Sequence, residues 1–177
     1  NGTLFLGSME GELVAVNASD GSRLWEVPLV TSSSSGGFSC AAASTAVAIY
    51  GSPVVDGDLV YIGGYNGKAY AISCSTRLSK EKYLDENNPQ PIVGGPEVAG
   101  GKVYIGCSDG KLYALDGVSL DKKWEFETGD KIWSTPVIDG DTVFIGSFDD
   151  KLYALNVISG GKKWEFDDKA QPDFDED

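Results

Sequence analysis

The 177-residue sequence contains no histidine, three cysteines, and only 14 basic residues against 27 acidic ones. Without histidine, and with Cys40, Cys74 and Cys107 sharing no close spacing, the usual zinc donor sets cannot be assembled and imidazole acid–base chemistry is excluded. Cys40 and Cys74 could pair as a disulfide, but the odd count leaves at least one thiol without an internal partner. Cys107 reads as a small residue filling a buried strand position. A net charge of −13 repels nucleic-acid phosphates and anionic lipid head groups, so no nucleic-acid partner is expected. No apolar stretch approaches the roughly 18–20 residues that cross a bilayer, so no transmembrane segment is expected. The sequence opens at Asn1 without a charged, hydrophobic leader, which is compatible with the earlier removal of a signal or anchor.

What is abundant is turn-forming residues and short apolar runs. With 41% hydrophobic and 11% aromatic residues, 23 glycines and 7 prolines, the composition favours many short strands over long helices. The length suits one ordinary domain or a piece of one. The last residues, 170–177, are rich in acid and offer little to bury, so they read as a frayed tail.

Self-similarity carries the fold signal. One pattern occurs four times: Leu4-Phe5-Leu6-Gly7, Val60-Tyr61-Ile62-Gly63, Val103-Tyr104-Ile105-Gly106 and Val143-Phe144-Ile145-Gly146. Each is a strand ending in glycine, followed by a turn and a second strand that carries Ala15, Ala71, Ala114 or Ala154, which together predict a hairpin. Upstream of three copies lies a short strand opened by Pro53, Pro96 or Pro136, a residue tolerated at a strand's first position. Downstream, a fourth strand is marked by Trp25, Trp124 and Trp164, with Glu81-Lys82-Tyr83 as the weaker counterpart in the second copy.

Four-stranded antiparallel units of this size cannot hide both faces alone and must stack on one another around an axis. The expected fold is therefore all-β, a β-propeller with about four blades present. The units span about 2–30, 49–86, 92–129 and 132–169, with a loop insertion at 31–48. The first unit has no proline strand before it and should lack its inner strand, which predicts a partial ring or a ring completed by another chain through an unpaired edge. The tryptophans are read as packing residues between blades.

The segments Ala15 to Trp25 and Ala154 to Trp164 resemble the tryptophan-docking motif of pyrroloquinoline-quinone (PQQ)-type repeats, Ala-x-Asp-x-x-Thr-Gly-x-x-x-Trp. The third copy places Leu120 at the glycine, and the second loses the tryptophan. The resemblance makes Trp25, Trp124, Trp164, the four alanines, and Gly7, Gly63, Gly106 and Gly146 structural blade-docking residues. It implies no catalytic set by itself. Quinoprotein dehydrogenases of this repeat class hold PQQ and calcium on the ring axis, and some carry adjacent cysteines that this sequence lacks. Asp56, Asp58, Asp139 and Asp141 could be imagined as calcium ligands, but Asp-Gly-Asp is ordinary hairpin-turn chemistry.

Non-enzymatic relatives, such as the lipoprotein of the bacterial outer-membrane β-barrel assembly machine, bind proteins through face loops and strand edges. The resemblance therefore implies a non-catalytic scaffold without a cofactor, periplasmic, cell-surface or secreted, with a protein partner and self-association or further blades completing the ring. The best candidate partner loop is the insertion, with Phe38, Ser39 and Cys40. Two alternatives stay open: a fragment of a PQQ- and calcium-dependent alcohol or sugar dehydrogenase, and a cell-surface ligand-sensing propeller with Asn1 and Asn17 as glycosylation acceptors.

Overall fold

Residues 2–29, 47–167 and 169 are described by the computed structural model of the chain. Glycines at positive φ, among them Gly57, Gly67, Gly110 and Gly140, fold the chain back at short intervals because a left-handed turn costs them no Cβ clash. The result is four antiparallel sheets. The first contains β1 (Thr3–Gly7), β2 (Glu12–Asn17) and β3 (Arg23–Pro28). The second contains β4 (Val54–Asp56), β5 (Leu59–Gly63), β6 (Lys68–Ser73) and β7 (Ser79–Tyr83). The third contains β8 (Glu97–Ala99), β9 (Lys102–Gly106), β10 (Lys111–Asp116) and β11 (Lys122–Glu127). The fourth contains β12 (Val137–Asp139), β13 (Thr142–Gly146), β14 (Lys151–Asn156) and β15 (Lys162–Asp167).

Strand order follows chain order in every sheet, and the described first sheet has three strands where the others have four. The architecture is that of a partial β-propeller. Strand β8 lies beside both β4 and β12, so the short strands form the inner row. Pro53, Pro96 and Pro136 stand one residue ahead of these strands rather than inside them. There the missing N–H is not needed by the ladder. No helix among the described residues is long and apolar enough to cross a membrane.

The core lies between sheets. Three clusters of buried side chains fill the three seams: Leu13 with Val60, Ile62, Tyr70 and Ile72; Ala69 and Ala71 with Val103, Ile105, Tyr113 and Leu115; Leu112 and Ala114 with Val143, Ile145, Tyr153 and Leu155. Each seam joins the trailing face of one sheet to the leading face of the next. Two hydroxyls cross these seams, Tyr61 donating to Gly117 O at 2.8 Å and Tyr104 to Val157 O at 2.9 Å.

Glycine at the end of each second strand has a packing reason. A Cβ on Gly7, Gly63 or Gly106 would overlap the Cγ2 of Ile49, Ile92 or Ile132, the isoleucine of the linker leading to the next sheet. At Gly146 the same position meets nothing within 4 Å among the described residues.

A second interlock joins the outer strands. The turn after each alanine strand is closed by a side-chain oxygen that accepts backbone N–H groups, as Asp116 Oδ1 does from Val118 and Ser119 and Asn156 Oδ1 from Ile158 and Ser159. The turn then places Gly21, Arg77, Leu120 or Gly160 at positive φ. In the second to fourth sheets this left-handed residue faces the preceding sheet, whereas an added Cβ on Gly21 would meet nothing within 4 Å among the described residues. Gly160 lies under the Trp124 ring, where a Cβ would come within 2.6 Å of Cε3, and the Arg77 guanidinium sits 4.3 Å above the Trp25 ring.

Trp25, Trp124 and Trp164 lie opposite Ala15, Ala114 and Ala154, with a bulge beside each alanine. In the second sheet no bulge occurs, and Lys80 stands opposite Ala71. The residue replacing tryptophan is therefore Lys80, one position earlier than the Glu81 read from the sequence, because this outer strand lacks the bulged residue that precedes tryptophan in the other sheets. Its amine donates to Val118 O at 2.9 Å in the third sheet, and the fully buried Leu120 fills the seam.

Cys107 belongs to this core. Burial pushes its thiol up to about 12, and burial likewise pushes the Tyr70 phenol up to about 12. Both groups are held neutral, so their contribution to stability is complete below the ordinary values of 9.0 and 10.0 and is lost as pH rises through about 12. Thermal unfolding followed by circular dichroism should show Tm falling by about 5 °C between pH 8 and pH 10.5, and Cys107→Ala should flatten that decline. An unchanged slope in the variant would contradict the assignment.

Candidate functional site

Three linkers carry the same backbone arrangement on one face of the ring. The isoleucine N–H donates to the hairpin of the preceding sheet: Ile49 to Ser8 O at 3.1 Å, Ile92 to Gly64 O at 3.3 Å and Ile132 to Cys107 O at 3.0 Å. The same linker accepts from the hairpin of the following sheet: Tyr65 N to Ala48 O, Ser108 N to Pro91 O and Phe148 N to Lys131 O, each at 3.0 Å. Every linker is thereby clamped between two hairpin tips. The residue after each isoleucine, Tyr50, Val93 or Trp133, stands between them.

These positions hold large apolar groups that the fold leaves outside. Met9, Tyr50, Tyr65, Trp133 and Phe148 are about half exposed. They are fixed to one another rather than scattered: Tyr50 and Tyr65 meet at 5.3 Å between ring centroids, and Trp133 and Phe148 meet edge-on at 4.8 Å. The Trp133 indole N–H donates to Ser108 Oγ at 2.8 Å, which sets the ring's orientation. Between the two aromatic pairs lies a shallow cavity of about 170 Å³ lined by Tyr65, Pro91, Val93, Ser108, Lys131 and Trp133. The Lys131 amine lies 5.8 Å from the Trp133 ring.

Beneath the aromatics, the hairpins are braced by a repeated side-chain bond. Tyr113 donates to Asp109 Oδ2 at 2.5 Å and Tyr153 to Asp149 Oδ2 at 2.6 Å, while Asn66 Nδ2 donates to Tyr70 Oη at 2.8 Å. Burial, then the neighbouring carboxylate, raises the Tyr113 and Tyr153 phenols well above their ordinary value. Burial alone would raise Asp149, but hydrogen bonds, that from Tyr153 foremost, outweigh it and hold the acid below its ordinary value. These pairs are braces, and they commit Asp109 and Asp149 to the hairpins.

The residues singled out in the sequence fall elsewhere. Phe38, Ser39 and Cys40 lie outside the described residues, whereas Cys74 is a half-buried free thiol. Val47 and Ala48, read as the end of the insertion, belong to the first linker. Val47 is buried in the first seam, and Ala48 supplies a clamp carbonyl. Trp25 and Trp124 pack in the first and third seams, and Trp164 lies on the far face of the fourth sheet. Tyr50, Tyr65, Trp133 and Phe148 were not read as a site. The available signal was the residue following isoleucine in Ile49-Tyr50, Ile92-Val93 and Ile132-Trp133.

The donor set does not suit calcium, which takes six to eight oxygens. Asp58 accepts from Ser73 Oγ at 2.6 Å and from the Ser75 hydroxyl and N–H, hydrogen bonds that hold it below the usual carboxylate range. Asp141 is likewise held low by Lys163 at 2.6 Å and then by the Thr142 hydroxyl. No group of three or more cysteine or acidic side chains able to hold a metal occurs among the described residues.

The family signature of the outer membrane protein assembly factor BamB matches residues 1–88 and 79–173. No curated protein sequence matches the chain. Among solved structures, BamB from Moraxella catarrhalis is similar at 22% identity with a TM-score of 0.60, over 94% of this chain and 61% of that one. The quinohemoprotein alcohol dehydrogenase ADHIIG from Pseudomonas putida HK5 is similar at 18% identity with a TM-score of 0.74, over 94% of this chain and 33% of that one. Saccharomyces cerevisiae Sqt1 is similar at 16% identity with a TM-score of 0.71, over 91% of this chain and 43% of that one. The chain thus spans between a third and three fifths of these structures, and at such identities the likeness is one of fold.

Proposed function

Because the chain belongs to the family of the outer membrane protein assembly factor BamB, we propose that it is a non-catalytic, extracytoplasmic scaffold whose aromatic ring face binds a protein partner. One observation carries this reading: half-exposed Tyr50, Tyr65, Trp133 and Phe148 are held in fixed pairs by backbone clamps. Aromatic rings lose little entropy on binding and are enriched at the energetic centres of protein interfaces. Rigid linkers beneath them reduce the ordering cost further.

An enzymatic role finds less support. The braced carboxylates described above are committed to turns, so the proposed scaffold needs neither PQQ nor calcium. The dehydrogenase neighbour contributes only its fold to the comparison. A periplasmic setting follows from the family, and there an acidic surface and a buried, unreactive thiol would be at no disadvantage.

Affinity capture from the envelope fraction of the source cells tests the proposal. A Tyr50→Ser/Trp133→Ser/Phe148→Ser variant should lose its partner by about tenfold or more in affinity, with its circular dichroism unchanged. Unchanged binding would remove the ring face as the site, and loss only on deleting 31–46, which spares the linker residues Val47 and Ala48, would transfer it to the insertion. Stoichiometric uptake of added PQQ with calcium, followed by quinone absorbance, would contradict the non-catalytic reading.

A further inference from the structure

The aromatic row on the ring face is broken at its middle. At the linker residue after the isoleucine and at the second residue after the terminal glycine, the second sheet has Tyr50 with Tyr65, and the fourth has Trp133 with Phe148. The third sheet has Val93 and Ser108 at the same two positions. Two small side chains thus stand where two rings stand on either side. The cavity of about 170 Å³ is the space they leave, with Tyr65 and Trp133 among its walls. A volume of this order holds a single benzene-sized ring. Its walls come from the hairpins of the second and third sheets and from the linkers that flank the third.

The rim of this notch carries a cation without a partner. Among the described residues the Lys131 amine makes no ion pair or hydrogen bond, and its contact is the Trp133 ring at 5.8 Å. Lys111, Lys122 and Lys151 are by contrast paired with Glu125 or Glu165. The chain has nearly twice as many acids as bases, yet the acids nearest in sequence are engaged elsewhere: Asp109 Oδ2 accepts from Tyr113, and Asp130 Oδ1 accepts from the Lys131 N–H. The Ser108 hydroxyl accepts from the Trp133 indole, and among the described residues nothing accepts its own proton. A ring-sized gap between rings, edged by a spare cation and a spare hydroxyl proton, selects an anionic aromatic group.

We infer that the notch takes one aromatic side chain of the partner, with a carboxylate beside that side chain meeting the Lys131 amine. The inference rests on the ring-face reading above and specifies what that face recognises. The incoming ring completes the row that Val93 and Ser108 interrupt, as an anchor residue fills a pocket at the centre of an interface.

Nitrogen-15 NMR spectra of the full chain, titrated with N-acetyl-phenylalaninate, read the site. The Trp133 indole resonance, identified as the one missing in Trp133→Phe, should shift and saturate at about millimolar affinity. N-acetyl-phenylalaninamide should bind about two- to fivefold more weakly. Lys131→Met should erase that difference while keeping amide binding, and Lys131→Arg should keep it. Val93→Tyr closes the row and leaves the bond between Trp133 and Ser108 in place, so it should weaken both probes by about tenfold or more. Ser108→Phe is the second filling variant, and circular dichroism checks both folds. Absence of a saturable shift, equal affinity for acid and amide in the wild type, N-acetyl-leucinate bound as tightly as N-acetyl-phenylalaninate, or filled variants that bind like the wild type would each overturn the inference. Binding that appears only after deletion of 31–46 would assign the notch to the insertion and overturn it as well. Loss of the captured partner in the triple serine variant, together with a failed probe titration, would remove the notch while leaving the ring-face reading standing.

Discussion

Leu120→Gly should destabilise the protein by about 2–4 kcal/mol, and adding Lys80→Trp should restore much of that loss. Leu120 is fully buried in the seam between the second and third sheets, so its removal costs the transfer of a large side chain and leaves a cavity. Part is offset because φ is 61° at this position, which glycine adopts without strain. The rescue follows from comparison of the seams. Where the outer strand carries Trp124, the facing residue is Gly160; where it carries Lys80, the facing residue is Leu120. In the second and third seams ring and side chain are alternative fillings of one space, whereas in the first the long Arg77 side chain stacks its guanidinium on the Trp25 ring. In wild-type protein, Lys80→Trp alone should therefore cost about 1–3 kcal/mol through overpacking. Urea unfolding of the four proteins checks this, and an equal effect of Lys80→Trp in both backgrounds would refute the exchange.

Gly63→Ala should cost about 1–3 kcal/mol, because the added methyl overlaps Ile92 in a seam with no room to yield. Its φ is not left-handed, so the cost is steric rather than conformational. Gly146→Ala is the built-in control. The same repeat position there meets nothing within 4 Å among the described residues, and the substitution should stay within about 0.5 kcal/mol. Equal costs at both positions would mean that the glycines serve the backbone and not the seam.

Much of the fold was legible because repetition amplifies a weak signal. A single Val-Tyr-Ile-Gly is ambiguous, but four copies with matched turns and alternating apolar residues admit a stacked-sheet solution and little else. The register of the second sheet was less legible. Without a tryptophan to mark the position, Lys80 and Glu81 could not be told apart, since the difference is a bulge that only hydrogen bonding reveals. The compensating role of Leu120 was hidden for the same reason: it depends on what faces it across a seam.

The ring-face aromatics escaped sequence reading because apolar side chains in a repeat are assigned to the core by default. Tyr50 and Trp133 follow isoleucines that are fully or nearly fully buried, and adjacent residues in an irregular linker carry no periodicity to separate inside from outside. Only the clamp geometry shows that the isoleucine turns into the seam and its neighbour turns out. The seat of each isoleucine is the terminal glycine of the preceding sheet, so the packing interlock and the proposed binding surface share a single support.

That support can be measured through Gly106 and Ile132, the pair beneath Trp133. Equilibrium unfolding of Gly106→Ala, Ile132→Ala and the double variant forms a thermodynamic cycle. If the glycine exists to seat the isoleucine, the alanine methyl enters space vacated by the shortened side chain, and the double variant should be more stable than the sum of the single effects by about 1 kcal/mol or more. Additive effects would show that the two residues act independently, and the account of how the seams position the ring face would fail.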